Sequence, residues 1–292
     1  MHKPNYLEAR SRDKRDYQRK DFSFDSRYLE KYKGKTYYIK TYGCQMNEHD
    51  SENISALLEK LGFQRVDSYL KADLVLLNTC SIRENAHNKA FGMLGRLKHL
   101  KNEKKDLIVG LCGCMAQEAS VVERILKDYK FVNFVLGTHN MYQLPEVLDQ
   151  AIVDNSMQIE VFSREGDLYE GLPVVRANSF KAYVNIIYGC NKFCTYCIVP
   201  YTRGRERSRR KEDILLEIDQ LIQDGYKEIT LLGQNVNAYG KDLYDDYNLG
   251  DLLEEIALKD IPRIRFMTSH PWDFTDKMIE VIAKYPNIMP SV

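Results

Sequence analysis

The chain has 292 residues, 44% hydrophobic and 29% charged, and reads as a soluble globular protein with room for two domains of ordinary size. Lys and Arg total 42 and so do Asp and Glu, so no global positive field announces a self-sufficient RNA binder. No apolar run approaches the ~20 residues needed to span a bilayer, the N-terminus is polar without a signal-peptide core, and seven cysteines, three of them clustered, argue for a reducing cytoplasm over a disulfide framework.

Residues 1 to about 34 carry dense alternating charge (Arg10-Ser-Arg-Asp-Lys-Arg-Asp) with little apolar periodicity, and are expected to form a flexible, solvated extension. From Lys35 the pattern becomes α/β. Thr36-Tyr-Tyr-Ile-Lys-Thr-Tyr is a predicted strand ending at Gly43-Cys44, and Ile54, Leu57, Leu58 and Leu61 mark the helix that follows. Asp73-Leu-Val-Leu-Leu-Asn is a buried type of strand ending at Thr79-Cys80, followed by a helix with Ala86, Ala90, Leu94 and Leu97 on one face. Asp106-Leu-Ile-Val-Gly-Leu is a third strand, ending at Cys112-Gly113-Cys114. A helix near Val121, a strand from Phe131 to Leu136 and a helix from Met141 to about Ile152 complete a mainly parallel, Rossmann-like series.

Residues 153–178, with scattered Asn, Ser, Gly and Pro, read as a linker. A second βα series begins at Ala182-Tyr-Val-Asn-Ile-Ile. It continues with a helix bearing Ile214, Ile218, Leu221 and Ile222, the strand Glu228-Ile-Thr-Leu-Leu, a helix near Leu252, the strand Arg263-Ile-Arg-Phe-Met and a helix near Met278.

Cys190, Cys194 and Cys197 leave three residues between the first two thiols and two between the last two. Three soft thiolates at that spacing can hold three irons of a [4Fe–4S] cube and leave the fourth open to a substrate. A structural zinc would want a fourth ligand nearby, and no Cys or His follows within a short loop. Cys44, Cys80 and Cys114 are remote in sequence, yet each closes a predicted strand, and strand ends in parallel sheets line one edge. From spacing alone, ligation and service as small core hydrophobes stand level for this trio.

The string from Gly189 to Gly204 (Gly-Cys-Asn-Lys-Phe-Cys-Thr-Tyr-Cys-Ile-Val-Pro-Tyr-Thr-Arg-Gly) resembles the methylthiotransferase branch of the radical S-adenosylmethionine (SAM) enzymes. The resemblance, to the MiaB-type tRNA methylthiotransferases, runs from about residue 35 to 290. It implies an α/β chain: a Rossmann-like N-terminal methylthiotransferase domain over 35–152, then an incomplete radical SAM (βα) barrel over 179–292. It implies two [4Fe–4S] clusters. Gly43-Cys-Gln-Met-Asn, Asn78-Thr-Cys and Gly113-Cys-Met-Ala-Gln resemble the family's auxiliary-cluster segments, which assigns Cys44, Cys80 and Cys114 as ligands and leaves Cys112 as a structural thiol. The resemblance further implies that the other cluster, on Cys190, Cys194 and Cys197, would bind SAM and split it to a 5′-deoxyadenosyl radical. The implied reaction adds a methylthio group to C2 of an isopentenylated adenosine beside the anticodon, with tRNA as substrate and a flavodoxin- or ferredoxin-like electron donor. Gly-Cys-Gln-Met-Asn favours this branch over relatives acting on threonylcarbamoyladenosine or on a ribosomal-protein aspartate.

Arg203, in the Thr-Arg-Gly match of a dense basic run, is expected to contact SAM or substrate phosphates, with a solvated loop as the alternative. Gln234 and Asn235, in a Leu-Gly-Gln-Asn-Val-Asn segment like the family's, are expected near SAM; His270 is expected to be a buried or capping histidine. Family members continue with further barrel strands and a small β domain, whereas this sequence stops at Asn287-Ile-Met-Pro-Ser-Val. A truncated chain, unable alone to complete methylthiolation, is the expectation on that ground; a non-catalytic iron–sulfur-binding fragment is the rival reading.

Overall fold

The computed structural model describes residues 17–82, 84–162 and 165–290. It divides into two units, Met1–Val175 with Thr195–Arg203, and Arg176–Cys194 with Gly204–Val292.

In the first unit, strands β1 (Arg19–Asp21), β2 (Thr36–Tyr42), β3 (Gln64–Arg65), β4 (Leu74–Thr79), β5 (Ile108–Gly113), β6 (Phe134–Leu136), β7 (Gln158–Glu160) and β8 (Leu168–Glu170) accompany helices α1 (Gln45–Lys60), α2 (Glu84–Glu103), α3 (Ala119–Asp128), α4 (Leu144–Val153) and the short α5 (Val199–Thr202). Six strands form one all-parallel sheet in the order β3-β2-β4-β5-β6-β7. Every residue of β4 and β5 is buried, as expected of central strands covered on both faces. Their alternation divides the core in two. Leu74, Leu76 and Ile108 point into one cluster with Ile54, Leu57 and Leu58 of α1 and Leu144, Val147 and Leu148 of α4. Val75, Leu77, Val109 and Leu111 point into the other, with Ala90, Leu94 and Leu97 of α2 and Val121 and Ile125 of α3. The chain goes from β2 outward to β3, then crosses to β4 on the other side of β2. The order therefore reverses between β2 and β4, and parallel sheets open a crevice at the carboxyl ends of such neighbours.

Two sequence expectations need correction. The flexible extension foreseen for residues 1–34 lies outside the described residues up to 16, but from Tyr17 onward the chain is packed. β1 pairs with β8, and Phe22, Phe24, Tyr28 and Tyr32 pack on the α1 face of the core. The Tyr32 hydroxyl donates to Asp149 at 2.5 Å. Aromatic rings interleaved with the charges provide burial that a count of charges conceals. The linker foreseen for 153–178 likewise contains β7 and β8; Ile159 and Val161 pack into the α2 face, a signal too short to rise above its polar flanks.

In the second unit, β9 (Lys181–Asn185), β12 (Glu228–Leu232) and β13 (Arg263–Phe266) form a parallel sheet ordered β13-β12-β9, accompanied by a two-stranded antiparallel ribbon of β10 (Ile187–Tyr188) and β11 (Arg207–Ser208) and by helices α6 (Lys211–Gln223), α7 (Leu249–Ala257) and α8 (Asp276–Lys284). Ile214, Ile218, Leu252, Ile256 and Val281 cover the sheet. Asn248 closes a capping box with Asp251 that fixes the start of α7. Ile288 makes a parallel bridge to Ile264, so a fourth segment begins to pair beside β13. The repeated βα order is the one expected from the sequence.

Candidate metal centre and cofactor site

The switch point of the first sheet holds three thiols. Register aligns Tyr42 with Thr79 and Thr79 with Gly113, so Cys80 and Cys114 each follow directly on adjacent strands and Cys44 follows two residues after β2. Cys44 is also the residue before α1, and the Met46 and Asn47 amides at that helix start reach its sulfur. The Cys80 thiol donates to Cys44, and with the Arg203 charge and the two amides this lowers Cys44 to about 6 against the opposing effect of burial. The same hydrogen bond, together with burial, pushes Cys80 far above the ordinary thiol range. Burial pushes Cys114 up, opposed by Arg203. One anionic sulfur is thus already favoured, and the pair shares its remaining proton.

A polar shell fixes this edge. Asn78 donates from Nδ2 to the Asn47 carbonyl and to Ser51 Oγ, both at 2.8 Å, while Asn47 donates back to Asn78 Oδ1 at 3.1 Å. Thr79 donates to the Cys112 carbonyl at 3.0 Å. Asn47 and Asn78 are fully buried, where amides without partners would be costly.

Arg203 is placed differently from its expectation. Its guanidinium, expected to meet SAM or a phosphate, is buried in the first unit, with Nε donating to Cys114 Sγ at 3.1 Å and Nη2 to Asp50 Oδ2 at 2.5 Å. A buried cation needs a counter-charge, and Asp50 of α1 supplies one; this binds Arg203 to the thiol set instead of presenting it to a ligand. Asp50 carried no sequence signal beyond its place on α1.

Cys112 lies in the apolar cluster with Leu136 and Leu144, its thiol pushed well up by burial. Strand alternation alone would face Cys112 and Cys114 the same way, but Gly113, at φ 92° and ψ −168°, ends the strand and Cys114 opens a 3-10 turn. Among the described residues no three Cys, His, Asp or Glu converge on a single ion. The thiolates of a cube each bind a different iron, so they have no need to converge on one point.

In the second unit the β10–β11 ribbon pins the two ends of the cysteine loop. Cys190 is buried, Cys194 is half-buried with its Sγ 3.9 Å from His270 Nε2, and Cys197 belongs to the segment Thr195–Arg203 of the first unit. The Cys190 amide donates to the Gly204 carbonyl at 3.1 Å. Gly189 has φ 78°, and a Cβ there would stand 2.0 Å from the Arg205 carbonyl oxygen, so only glycine admits this approach. Its amide donates to Gln234 Oε1. Gln234 thereby holds the loop. Asn235 donates to Asp273 at 2.7 Å and Glu206 at 3.3 Å, and its buried Oδ1 has no hydrogen-bond partner. Buried Asn237 Oδ1 and Ser269 Oγ are likewise unpartnered, past the carboxyl ends of β12 and β13. His270 caps the turn Pro271–Asp273, accepting from the Trp272 amide at 3.3 Å, as the sequence suggested.

Asp273, which belongs to no motif in the sequence, is the hub of this edge. Burial would raise its carboxyl, but Lys192, Lys241 and Asn235 outweigh that and bring it down to about 2. A carboxyl lowered on folding contributes stability that is full above the ordinary carboxylate range near ~4 and is lost as pH falls through its folded value. Melting temperature followed from pH 6 downward should therefore fall through an acid limb between ~4 and ~2. Asp273→Asn should lower the plateau and flatten that limb; an unchanged limb would exclude Asp273 as its source.

Comparison with known proteins gives these sites a context. Residues 36–137 match the model of uncharacterized protein family UPF0004, and residues 184–292 that of the radical SAM superfamily. The segment 184–292 therefore resembles the radical SAM superfamily. Two relatives named tRNA-2-methylthio-N(6)-dimethylallyladenosine synthase, from Staphylococcus epidermidis (strain RP62A) and Staphylococcus aureus (strain Newman), are 57% and 56% identical to this chain across 99% of its length. It spans 57% of the length of each. Among solved structures, the radical SAM methyltransferase TsrM from Kitasatospora setae, with tryptophan and a SAM analogue, superposes with a TM-score of 0.55 at 14% identity. The match covers 86% of this chain and 57% of that one, a likeness of fold. No helix among the described residues is long and apolar enough to cross a membrane.

Proposed function

We propose that this chain is the two-cluster core of a tRNA methylthiotransferase that places a methylthio group at C2 of N6-dimethylallyladenosine. The observation that carries the reading is the gathering of Cys44, Cys80 and Cys114 at a sheet switch point, ahead of a radical SAM segment with its own three-thiol loop. Kinship of 57% with relatives of that name across almost the whole chain points to the same substrate.

The residues fit the implied groups. Each thiol set offers three soft donors, the chemistry that [4Fe–4S] clusters require. The buried, unpartnered oxygens of Asn235, Asn237 and Ser269 suit the ammonium and hydroxyl donors of SAM. When bound, a reduced cluster with SAM supplies the carbon radical needed to take hydrogen from an unactivated C–H such as adenosine C2.

The chain's own part is placement and exclusion of water. Asn47, Asn78 and Ser51 lock the strand ends that carry the thiols. Gln234 and Glu206 fasten the Cys190 loop, Glu206 by accepting from the Asn191 amide at 3.1 Å. Asn235 is oriented by Asp273 with its oxygen left for a ligand. A tRNA bearing isopentenyladenosine is the proposed substrate, and a flavodoxin- or ferredoxin-like protein the proposed electron donor.

The test is anaerobic turnover of this chain supplemented with the C-terminal part of the Staphylococcus epidermidis relative. Reductant, methyl-labelled SAM and tRNA from a strain lacking its own enzyme complete the mixture. Labelled 2-methylthio-dimethylallyladenosine in nuclease digests is the expected product by mass spectrometry. Product only on tRNA carrying threonylcarbamoyladenosine would move the substrate assignment, and no product from protein with both clusters would overturn the activity.

A further inference from the structure

We infer that Arg203, steered by Asp50, is the positioning residue that compensates the charge and sets the reduction potential of the cluster on Cys44, Cys80 and Cys114. The inference rests on the cluster reading above and concerns the first unit alone.

The two side chains are buried, at 6% and 5% of their accessible surface, and are joined at 2.5 Å. Burying such a pair costs several kcal/mol per ion before their attraction is counted, and apolar substitutes often serve stability as well. Stability is therefore a poor reason for this pair. Its geometry supplies a better one. The guanidinium places Nη2 on the carboxylate and Nε on sulfur, 3.1 Å from Cys114 Sγ. Asp50 lies on α1, the helix that starts beside Cys44. Arg203 ends the segment Thr195–Arg203, which also contains Cys197.

A [4Fe–4S] core held by three thiolates is anionic and gains a further negative charge on reduction. A cation in contact with a ligand sulfur, and an N–H···S hydrogen bond, both favour the reduced form; hydrogen bonds to sulfur and net charge are main determinants of such potentials. Asp50 orients the cation while its own charge opposes the effect. Arg203 touches the sulfur and Asp50 lies beyond it, so the arginine dominates. Opposite signs are therefore predicted for two substitutions.

The experiment uses the full chain with Cys190, Cys194 and Cys197 changed to Ala, so that only the first unit's cluster is titrated. Midpoint potentials come from spectroelectrochemistry followed by electron paramagnetic resonance, with iron and sulfide measured in each sample. D50N should move the midpoint to more positive values. D50N/R203M, which removes both charges and keeps the volume, should move it to more negative values, and R203K with Asp50 intact should shift it less than the double variant. Absence of iron from the reference chain overturns the cluster reading and the inference with it. Normal iron with unmoved midpoints, or with both shifts of one sign, overturns the inference alone and leaves the pair a structural clasp.

Discussion

Cys114→Ala should strip the first unit of its cluster, whereas Cys112→Ala should keep it. The two thiols are two residues apart, both buried, and equal in composition. Their surroundings differ. Cys114 stands beyond the strand end, in reach of Arg203 and of the charge on Cys44. Cys112 is packed among Leu136, Leu144 and Val147, and burial outweighs the Asp50 and Arg203 charges in setting its thiol. A cube bound by two remaining thiolates loses an iron ligand, and such clusters fall apart readily. For Cys112→Ala the cost is packing, on the order of 1 kcal/mol for a sulfur-sized void. Anaerobically reconstituted chain should hold about eight irons, and Cys114→Ala about four, while Cys112→Ala should stay near eight. Replacing Cys190, Cys194 and Cys197 together should also leave about four. Retention of iron by Cys114→Ala with loss from Cys112→Ala would reverse the ligand assignment.

The parts of this architecture legible in the sequence are those encoded by neighbours. Leu74-Val-Leu-Leu-Asn and Leu107-Ile-Val-Gly-Leu announce central strands because burial on both faces removes polar alternation, and Cys80 and Cys114, directly after β4 and β5, mark the sheet's carboxyl edge. The Gly-Cys steps were legible for the same local reason. What escaped notice depends on partners far along the chain. Asp50 and Arg203 are 153 positions apart, so nothing near Arg203 distinguishes a buried cation from a phosphate contact. β1 finds its partner near residue 168, and no periodicity within three residues foretells that. Gln234 sits in a segment expected near SAM, and its side-chain carbonyl accepts from the distant backbone amide of Gly189, a partner that no local pattern announces. Chemistry-bearing residue types locate a site well. Their division into ligands, clasps and counter-charges is settled by packing.

Gly113→Ala should disable the first unit's metal site while Gly92→Ala leaves it whole. Gly113 has φ 92° and ψ −168°, a region that residues with a Cβ essentially do not occupy, at a cost of about 1–3 kcal/mol. An added Cβ would also stand 2.5 Å from the Thr79 carbonyl oxygen, 2.8 Å from the Thr79 nitrogen and 2.4 Å from Asn78 Oδ1. Two of those atoms are backbone of β4, which cannot swing aside without breaking the ladder to β5. The strand end must shift, and it carries Cys80 and Cys114. Gly92, on the exposed face of α2, has nothing within 4 Å of such a Cβ, and alanine there should stabilise the helix by up to about 1 kcal/mol. Thermal melting of the apo chain should therefore drop by several degrees for Gly113→Ala and hold or rise for Gly92→Ala, at roughly 2–4 °C per kcal/mol. Iron should fall to the level of Cys114→Ala in the first and stay at wild type in the second. Full iron with an unchanged melting temperature in Gly113→Ala would mean that β5 can end in another way and that the glycine is not what turns Cys114 toward its partners.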